Sequence, residues 1–362
     1  MFIKSLEVNN FRNYVNQKIE FSRETNIIYG KNAQGKTNLL EAVSLFSSGK
    51  SFRRAQDRNL IKDGEPSSKI NIEFEINGVG KDAEIIINRE SKKYIKLCGA
   101  PLHKTSELLG QFKSVIFSPE EMSLITGAPE LRRNFTDLVI SSEKPVYYNI
   151  LKRYYKILKQ KNNLLKQNNS SKEETLAVWN ESLAQAGAKI MVYRKSFIDL
   201  INPYVKETFE EITEGKEDIK INYVPSVSAE EFEENTLYDL LLNSMNKKMQ
   251  AEIMLGASVC GIHRDDYSFF INGKNAKSFS SQGQQRTAII ALKMAQAEII
   301  KENCGEYPVF LLDDVMSELD FERRNYLSEK IKDKQVIITC TDKYESAGAK
   351  CFYVENGTVS EE

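Results

Sequence analysis

The sequence predicts an α/β protein in which both chain ends form one domain and a mainly helical lobe is inserted between them. Three observations lead to this prediction. Short apolar strands, a glycine-rich turn and an amphipathic helix occupy the first 50 residues. A long helical pattern follows between residues 130 and 212. Strand and helix patterns alternate again in the last third, with the continuous apolar runs typical of strands buried on both faces.

The composition indicates a folded, soluble protein. Of the 362 residues, 41% are hydrophobic and 28% charged, which excludes disordered and collagen-like classes. No stretch reaches the roughly 18 uninterrupted apolar residues of a membrane helix, and Met1–Glu7 resembles a strand rather than a signal peptide. The five cysteines are scattered and form no CxxC pair, which indicates reduced thiols. We therefore expect a cytoplasmic protein without a membrane partner.

The charge is balanced overall but uneven along the chain. The 50 Lys and Arg residues against 51 Asp and Glu residues give a net charge of −1. Residues 130–170 carry nine basic and three acidic side chains (+6), whereas residues 205–240 carry three basic and eleven acidic ones (−8). Any surface that binds nucleic acid must therefore be local.

The N-terminal part contains strands, one helix and a meander. Residues 2–9, 18–21 and 26–29 have the pattern of short strands. The helix after the third strand presents one apolar stripe, which consists of Leu39, Leu40, Val43 and Phe46. From about residue 68 to 98 the apolar residues recur with period two around a turn at 78–80, which predicts an antiparallel meander.

The central region is predicted to form the inserted lobe. Prolines and glycines between residues 119 and 129 precede the helical pattern, and apolar strands at 307–312 and 335–339 return the chain to the first domain. We place the α/β domain (lobe I) at 1–128 and 250–362. The helical lobe (lobe II) then occupies 129–249.

The segment Gly30–Thr37 fits the phosphate-binding pattern G-x-x-x-x-G-K-[ST] between a strand and a helix, the context that this P-loop motif requires. Its glycines let backbone N–H groups surround a phosphate, and the helix N-terminus adds positive charge. Lys36 is predicted to neutralise the β and γ phosphates of ATP, and Thr37 to ligate Mg²⁺. The predicted nucleotide-binding residues here are Gly30, Lys31, Asn32, Ala33, Gln34, Gly35, Lys36, Thr37 and Asn38.

Two acids, Asp313 and Asp314, follow the apolar strand Val309–Leu312, where a P-loop enzyme holds its metal-side carboxylate. Asp313 is predicted to hold Mg²⁺ through its water shell, and Asp314 to orient the attacking water. A strand that ends in an Asp-Asp turn without a ligand is the alternative.

The stretch Ser280–Arg286, followed by a helical pattern, resembles the signature motif of ABC-type ATPases. In that family a serine, a glycine and a helix N-terminus contact the γ-phosphate of ATP bound by a second copy of the domain. Ser281, Gly283 and Gln284 match the pattern, and Gln282 stands where transporters have glycine. An ordinary helix N-cap is the alternative.

Two further motifs of that family follow in order. Ser317–Asp320 lies at the distance of the D-loop, with Asp320 at its acidic position. Ile337–Asp342 takes the place of the switch strand and loop, where Cys340 and Thr341 replace the histidine of transporters. Thr341 is therefore the candidate switch residue.

The ordered set resembles the RecF family, ATPases of bacterial recombinational repair that are related to the SMC proteins. Supporting stretches run from end to end and include Asn10–Tyr14, Lys50–Arg53, Phe117–Glu121, Gly127–Pro129, Gly261–Asp266 and Leu311–Asp320. The resemblance implies an ABC-type ATPase head, an ATP-dependent homodimer on double-stranded or gapped DNA, and weak, DNA-stimulated hydrolysis that acts as a switch. It also implies RecO and RecR as partners in loading RecA.

The resemblance extends to individual residues. Arg12 and Asn13 are candidates for contact with the nucleotide, and Glu120 is the candidate for the Q-loop position beside the metal. The residues predicted to contact DNA are Arg53, Arg54, Arg132, Arg133, Lys152, Arg153 and Lys156. A solvated helix face is the alternative for the lysines among them.

Two alternatives come from other functional classes. The nucleotide-binding subunit of an ABC transporter would share the motifs, but the missing switch histidine, Asp314 and the basic insertion disfavour it. A small-molecule kinase would leave the signature stretch without a role, and His263-Arg264-Asp265 lacks the other kinase motifs. The insertion is also too short for the coiled-coil arms of SMC proteins, because a helix advances only about 1.5 Å per residue.

Overall fold

The computed structural model describes residues 1–167, 172–343 and 348–362. The chain forms two compact units. The first unit contains Met1–Ser123, Thr208–Gly215 and Arg286–Glu362. The second unit contains Leu124–Glu207 and Lys216–Gln285.

The strands are distributed over three sheets. In chain order they are β1 (Phe2–Phe11), β2 (Tyr14–Glu20), β3 (Thr25–Tyr29), β4 (Ser67–Ile76), β5 (Val79–Asn88), β6 (Tyr94–Leu97), β7 (Ala100–Leu102), β8 (Ser114–Phe117), β9 (Ile219–Val224), β10 (Asp266–Ile271), β11 (Lys274–Asn275), β12 (Val309–Asp313), β13 (Val336–Cys340), β14 (Lys350–Glu355) and β15 (Thr358–Glu361).

The helices range from single turns to more than ten turns. They are α1 (Lys36–Ser48), α2 (Ser123–Thr126), α3 (Pro129–Glu143), α4 (Pro145–Leu165), α5 (Lys172–Thr213), α6 (Glu234–Leu255), α7 (Ala276–Phe279), α8 (Gln282–Cys304), α9 (Val315–Glu318) and α10 (Phe321–Ile331). None of the helices in the described part of the chain has the length and apolar character needed to cross a membrane.

A mostly parallel sheet organises the first unit, in the order β15-β14-β3-β13-β12-β8. Strands β3, β13 and β12 run parallel and are almost entirely buried, which accounts for their unbroken apolar sequences. Parallel strands end at the same edge of a sheet, so the segments that follow β3, β12 and β13 meet there. In this register Asp313 is directly opposite Thr339. The α/β prediction is confirmed.

An antiparallel sheet forms the rest of the first unit, in the order β2-β1-β4-β5-β6-β7. It confirms the predicted meander, and Ile70, Ile72 and Phe74 of β4 are buried on one face. The predicted turn at 78–80 is shorter in the structure, because β5 already begins at Val79. The four residues of the predicted α1 stripe are buried in the same hydrophobic core.

The second unit consists of helices and the small sheet β11-β10-β9. Arg194 is fully buried there, and its guanidinium bonds Asp137 and Asp265 at 2.8 Å. His263 Nδ1 lies 3.0 Å from the hydroxyl of buried Tyr154, and burial lowers the His263 pKa to about 4. His263 and Asp265 of the kinase-like triplet therefore belong to a largely buried polar network, whereas Arg264 is exposed.

Apart from a first boundary at 123/124 in place of 128/129, the two units differ from the predicted lobes at two places. Residues 250–285, predicted in lobe I, belong to the second unit because β10 pairs with β9 over six residues. Residues 208–215, predicted in lobe II, belong to the first unit, where Glu211 bonds Tyr326 at 2.5 Å and Lys330 at 2.8 Å. Both differences arise from contacts between distant segments, which composition does not reveal.

Candidate nucleotide-binding site

The P-loop, Gly30–Thr37, connects β3 to α1 in the first unit. Gly30 and Gly35 have φ angles of 148° and 118°, which side chains other than hydrogen strongly disfavour. A Cβ atom at Gly30 would lie 2.3 Å from the carbonyl oxygen of Val354, and one at Gly35 would lie 2.6 Å from Asn13 Nδ2. The close approach of two neighbouring segments thus requires glycine at both positions.

Lys36 begins α1, and its side chain is almost completely buried. Nζ donates to the carbonyl oxygen of Gly30 at 2.6 Å and to that of Lys31 at 3.1 Å. These bonds hold the ammonium group against the loop, and an ammonium has three donors, so one remains for a phosphate oxygen. Lys36 therefore has the position and charge that its predicted role requires.

Thr37, Asp313 and Thr339 form a hydrogen-bonded cluster beside the P-loop. The hydroxyls of Thr37 and Thr339 each donate to Asp313 Oδ1 at 2.8 Å. Burial raises the pKa of Asp313, while the two hydroxyl bonds act in the opposite direction. Thr37 and Asp313 offer hydroxyl and carboxylate oxygens of the kind that Mg²⁺ prefers, so the residues fit this ion. The sequence analysis missed Thr339. The signal that could have identified it is its position opposite Asp313 in the pairing of β12 with β13.

Asp314 and Glu120 lie close to this cluster. Asp314 has a φ angle of 53°, a left-handed conformation that is uncommon outside glycine, and its N–H donates to Thr339 Oγ1 at 3.0 Å. Glu120 is exposed, and its negative charge contributes to the raised pKa of Asp313. The next acid, Glu121, is instead half-buried and forms an ion pair with the buried Lys293. The metal-side role of Glu120 stays a prediction.

An open cleft lies over the P-loop and is lined by Asn32, Ala33, Gly35, Lys36, Thr37, Asn38, Arg53 and Asp314. Arg53 is predicted above to contact DNA, but the structure places it on the wall of this cleft, with Nη1 3.3 Å from Asn38 Oδ1. The reason is the turn after α1, where Ser51 accepts from the backbone N–H of Arg53 and donates to Glu41. Arg54 remains exposed.

A buried carboxylate on α1 holds Arg12. Arg12 Nε and Nη2 bond the two oxygens of Glu41 at 2.8 Å each, and Nη1 donates to the carbonyl oxygen of Asn59 at 2.9 Å. These bonds occupy three of the five guanidinium N–H donors, so two donors and the planar face remain for contact with a nucleotide base. The sequence analysis missed Glu41, an acid that is fully buried on the core side of α1.

Asn13 and Gln34 tie the P-loop to two turns. Asn13 Nδ2 donates to the carbonyl oxygen of Gln34 at 2.7 Å, and Asn38 Nδ2 donates to Asn13 Oδ1 at 2.9 Å. From the β14–β15 turn, the backbone N–H of Asn356 donates to Gln34 Oε1 at 2.6 Å and that of Gly357 to Gln34 O at 3.3 Å. The sequence analysis did not identify this second turn.

The signature residues lie at the N-terminus of α8, and Ser281, Gly283 and Gln284 belong to the second unit. Gln284 N donates to Ser281 Oγ at 3.1 Å, and Ser281 N donates to Gln284 Oε1 at 2.8 Å, a reciprocal capping box. The N-cap alternative is therefore correct as a description of local structure. Ser281 is exposed, and its O–H can still donate to a ligand.

The D-loop and switch candidates belong to the first unit. Asp320 caps α10 by accepting from Arg323 N at 3.0 Å, and this bond, with the Arg323 charge, lowers the Asp320 pKa. Thr341 is exposed and donates to Asp342 Oδ2 at 3.1 Å. The threonine that contacts Asp313 is Thr339, two residues earlier on β13.

The structure corrects one of the DNA predictions. Arg132 is buried. Its Nε and Nη2 donate to the two carboxylate oxygens of Asp266 at 2.7 and 3.0 Å, and its Nη1 donates to backbone carbonyl oxygens, so the side chain cannot reach a phosphate. Arg133 is half-buried and donates to the carbonyl oxygen of Asp265 at 2.7 Å. The α4 candidates are exposed, namely Lys152, Arg153 and Lys156.

The parallel sheet, the P-loop and the acidic end of β12 define an ABC-type P-loop ATPase. Residues 2–357 match the model of the RecF/RecN/SMC N-terminal domain. The DNA replication and repair protein RecF of Clostridium tetani is 39% identical over the whole of both chains, and that of Alkaliphilus oremlandii is 40% identical over 99% of this chain and all of its own. The chain belongs to the RecF family.

Solved structures agree with this assignment. The recombination mediator protein RecF-ATP of the RecFOR pathway is 37% identical, with a TM-score of 0.94 over all of this chain and 97% of its own. An SMC head domain with an extended coiled coil from Pyrococcus furiosus shares the fold, with a TM-score of 0.56 at 16% identity over all of this chain and 96% of its own.

Proposed function

We propose that the chain is an ATP-switched DNA-binding protein of recombinational repair, in which ATP and Mg²⁺ drive formation of a homodimer on double-stranded or gapped DNA. The observation that carries the proposal is the 2.8 Å hydrogen bond between Thr37 and Asp313. It joins the P-loop to the acidic end of β12 and brings together the two oxygens that suit Mg²⁺. The similarity to RecF-ATP supports the nucleotide.

The cleft and the signature motif support a shared site. A P-loop, Asp314 and Arg53 line the cleft of one copy, and the exposed Ser281 of a second copy supplies a hydroxyl donor and the N-terminus of α8. ADP lacks the γ-phosphate that these groups would contact. Hydrolysis is slow in this proposal because Asp314 is one methylene shorter than glutamate, which makes ideal water geometry harder to reach.

The exposed face of α4 supports the DNA role. Lys152, Arg153 and Lys156 are separated by one, three and four positions, so they share one side of the helix. Contacts of this kind reach phosphates, which carry no sequence information, and they release counterions. Binding should therefore show little sequence preference and a steep dependence on salt.

The similarity to a recombination mediator of the RecFOR pathway supports RecO and RecR as partners and RecA loading as the purpose. A cytoplasmic location belongs to the same proposal. Family membership disfavours the transporter alternative, whose ATPase subunit would need a membrane partner.

Titration of fluorescent duplex DNA at several salt concentrations, with ATP and with ADP, tests the proposal. Affinity should be much higher with ATP, because two copies then bind the same duplex. In the dimer, Arg153→Ala with Lys156→Ala removes four cations and should reduce the salt slope by about 3.6, because each neutralised phosphate contributes roughly 0.9 to the slope. Lys247→Ala with Lys248→Ala removes the same charge from α6 and should leave the slope unchanged. Equal affinity with ATP and ADP would contradict the switch.

A further inference from the structure

A carboxylate outside the recognised motifs holds the signature glutamine. Gln284 Nε2 donates to Glu217 Oε1, and Asn272 Nδ2 approaches the same oxygen at 3.5 Å. Glu217 lies just before β9 and is half-buried. All of these residues belong to the second unit, and Gln284 is the only one of them that is part of a motif.

The contact with Glu217 determines the orientation of the Gln284 side-chain amide. A carboxylate only accepts hydrogen bonds, so the NH₂ group must face Glu217 and Oε1 must face the backbone N–H of Ser281. In the flipped orientation, the NH₂ group would meet the N–H of Ser281 and the amide oxygen would meet the carboxylate. Both contacts would be repulsive, so Glu217 selects the capping orientation.

The capping orientation holds the backbone of Ser281 in place, because Gln284 Oε1 accepts from its N–H at 2.8 Å. The hydroxyl of Ser281 completes the capping box. Its Oγ accepts from Gln284 N at 3.1 Å, which uses a lone pair and leaves the O–H to donate outward. We propose that Glu217 is a positioning residue of the signature motif, which fixes Gln284 and thereby the Ser281 hydroxyl for the γ-phosphate of ATP on a second copy of the chain. This inference rests on the proposed function of Ser281.

A hydrogen-bonding role and a purely electrostatic role of Glu217 make opposite predictions. If only its negative charge matters, it repels an incoming γ-phosphate, and its removal should strengthen dimerisation. If it positions Gln284, its acceptor oxygen matters, and removal should weaken dimerisation. Glu217→Gln keeps an acceptor oxygen and removes the charge, whereas Glu217→Ala removes both.

The experiment measures the dissociation constant of the dimer of the full chain with ATP and Mg²⁺, by sedimentation velocity. Glu217→Ala should weaken the dimer by about 25-fold, at about fivefold for the loss of a cap-type interaction in each of two symmetric sites. Glu217→Gln should stay within about threefold of wild type. Binding of a fluorescent ATP analogue to the monomer should not change in either variant, since the P-loop is intact.

Two controls make the outcome specific. Glu231→Ala removes an exposed charge from the same acidic segment and should not affect the dimer. In a Gln284→Ala background, Glu217→Ala should have no additional effect, because the residue to be positioned is gone. A normal dimer in Glu217→Ala, or equal weakening in Glu231→Ala, would overturn the inference.

Ser281→Arg separates this inference from the proposed function. If Ser281→Arg still dimerises with ATP, the signature role itself fails. If Ser281→Arg blocks dimerisation while Glu217→Ala dimerises normally, only the positioning role of Glu217 fails. Circular dichroism of each variant establishes that the folded state is retained.

Discussion

Thr339→Val removes one hydroxyl from the hydrogen-bonded cluster of Thr37, Asp313 and Thr339 and retains a β-branched side chain of similar shape. Thr339 is fully buried, and its Oγ1 donates to Asp313 Oδ1 at 2.8 Å and accepts from the backbone N–H of Asp314 at 3.0 Å. The substitution therefore removes a bond to a carboxylate and leaves an N–H without its acceptor.

Both changes destabilise the first unit. A hydrogen bond to a charged group contributes about 1.5 to 3 kcal/mol, and a stranded buried donor costs about 1 to 3 kcal/mol. Because the Asp314 N–H is only partly buried, we expect the free energy of unfolding to fall by about 2 to 4 kcal/mol in total. The Asp313 pKa should rise further, since one of the bonds that lower it is gone.

Urea unfolding followed by circular dichroism measures the destabilisation, and titration with ATP in the presence and absence of Mg²⁺ measures the effect on the site. Thr341→Val is the matched control, because Thr341 is exposed on the same segment and its replacement should change stability by no more than about 0.5 kcal/mol. If Thr339→Val is as stable as this control, the hydrogen bonds of Thr339 are not what holds Asp313.

Two further predictions concern the same nucleotide-binding site. Burial raises the folded-state pKa of Asp313 above 3.8, so its ionised form opposes folding at neutral pH and this penalty disappears as the pH falls below the unfolded-state pKa. Asp313→Asn should therefore stabilise the nucleotide-free protein at pH 7 but not near pH 3, and it should abolish Mg²⁺-dependent ATP binding. Thermal unfolding at both pH values measures the change in stability. A variant that is less stable than wild type at pH 7 would contradict the prediction. Arg53→Ala should weaken ATP binding by about tenfold or more, which is the effect of one charge-assisted hydrogen bond. It should leave DNA affinity at saturating ATP unchanged. Unchanged ATP binding with weaker DNA binding would instead support the original prediction that Arg53 contacts DNA.

The sequence alone predicts the parts of the site whose residues are adjacent in the chain. The P-loop at 30–37 carries its own glycines, lysine and threonine, and its flanks show the strand and helix that it needs. Asp313 and Asp314 end an apolar strand, so their position at the sheet edge follows from the rule that parallel strands present their carboxyl ends together. The α1 stripe and the meander follow from periodicity alone.

The residues that the sequence analysis missed or misplaced depend on contacts across long separations. Thr339 meets Asp313 only because β12 and β13 pair in a particular register. In the sequence, Glu41 resembles a surface acid, and only the fold shows that Arg12 and Ser51 bond to it. Arg132 resembles a DNA-binding residue because a basic pair in a basic segment does not reveal Asp266, which lies 134 positions away.

Sedimentation velocity of the full chain with Mg²⁺ and either ATP or ADP tests ATP-driven dimerisation most directly. The protein should be a dimer with ATP and a monomer with ADP, Asp314→Asn should remain dimeric because hydrolysis is blocked, and Ser281→Arg should bind ATP yet stay monomeric. A monomer with saturating ATP, or an equal dimer with ADP, would contradict the shared nucleotide site.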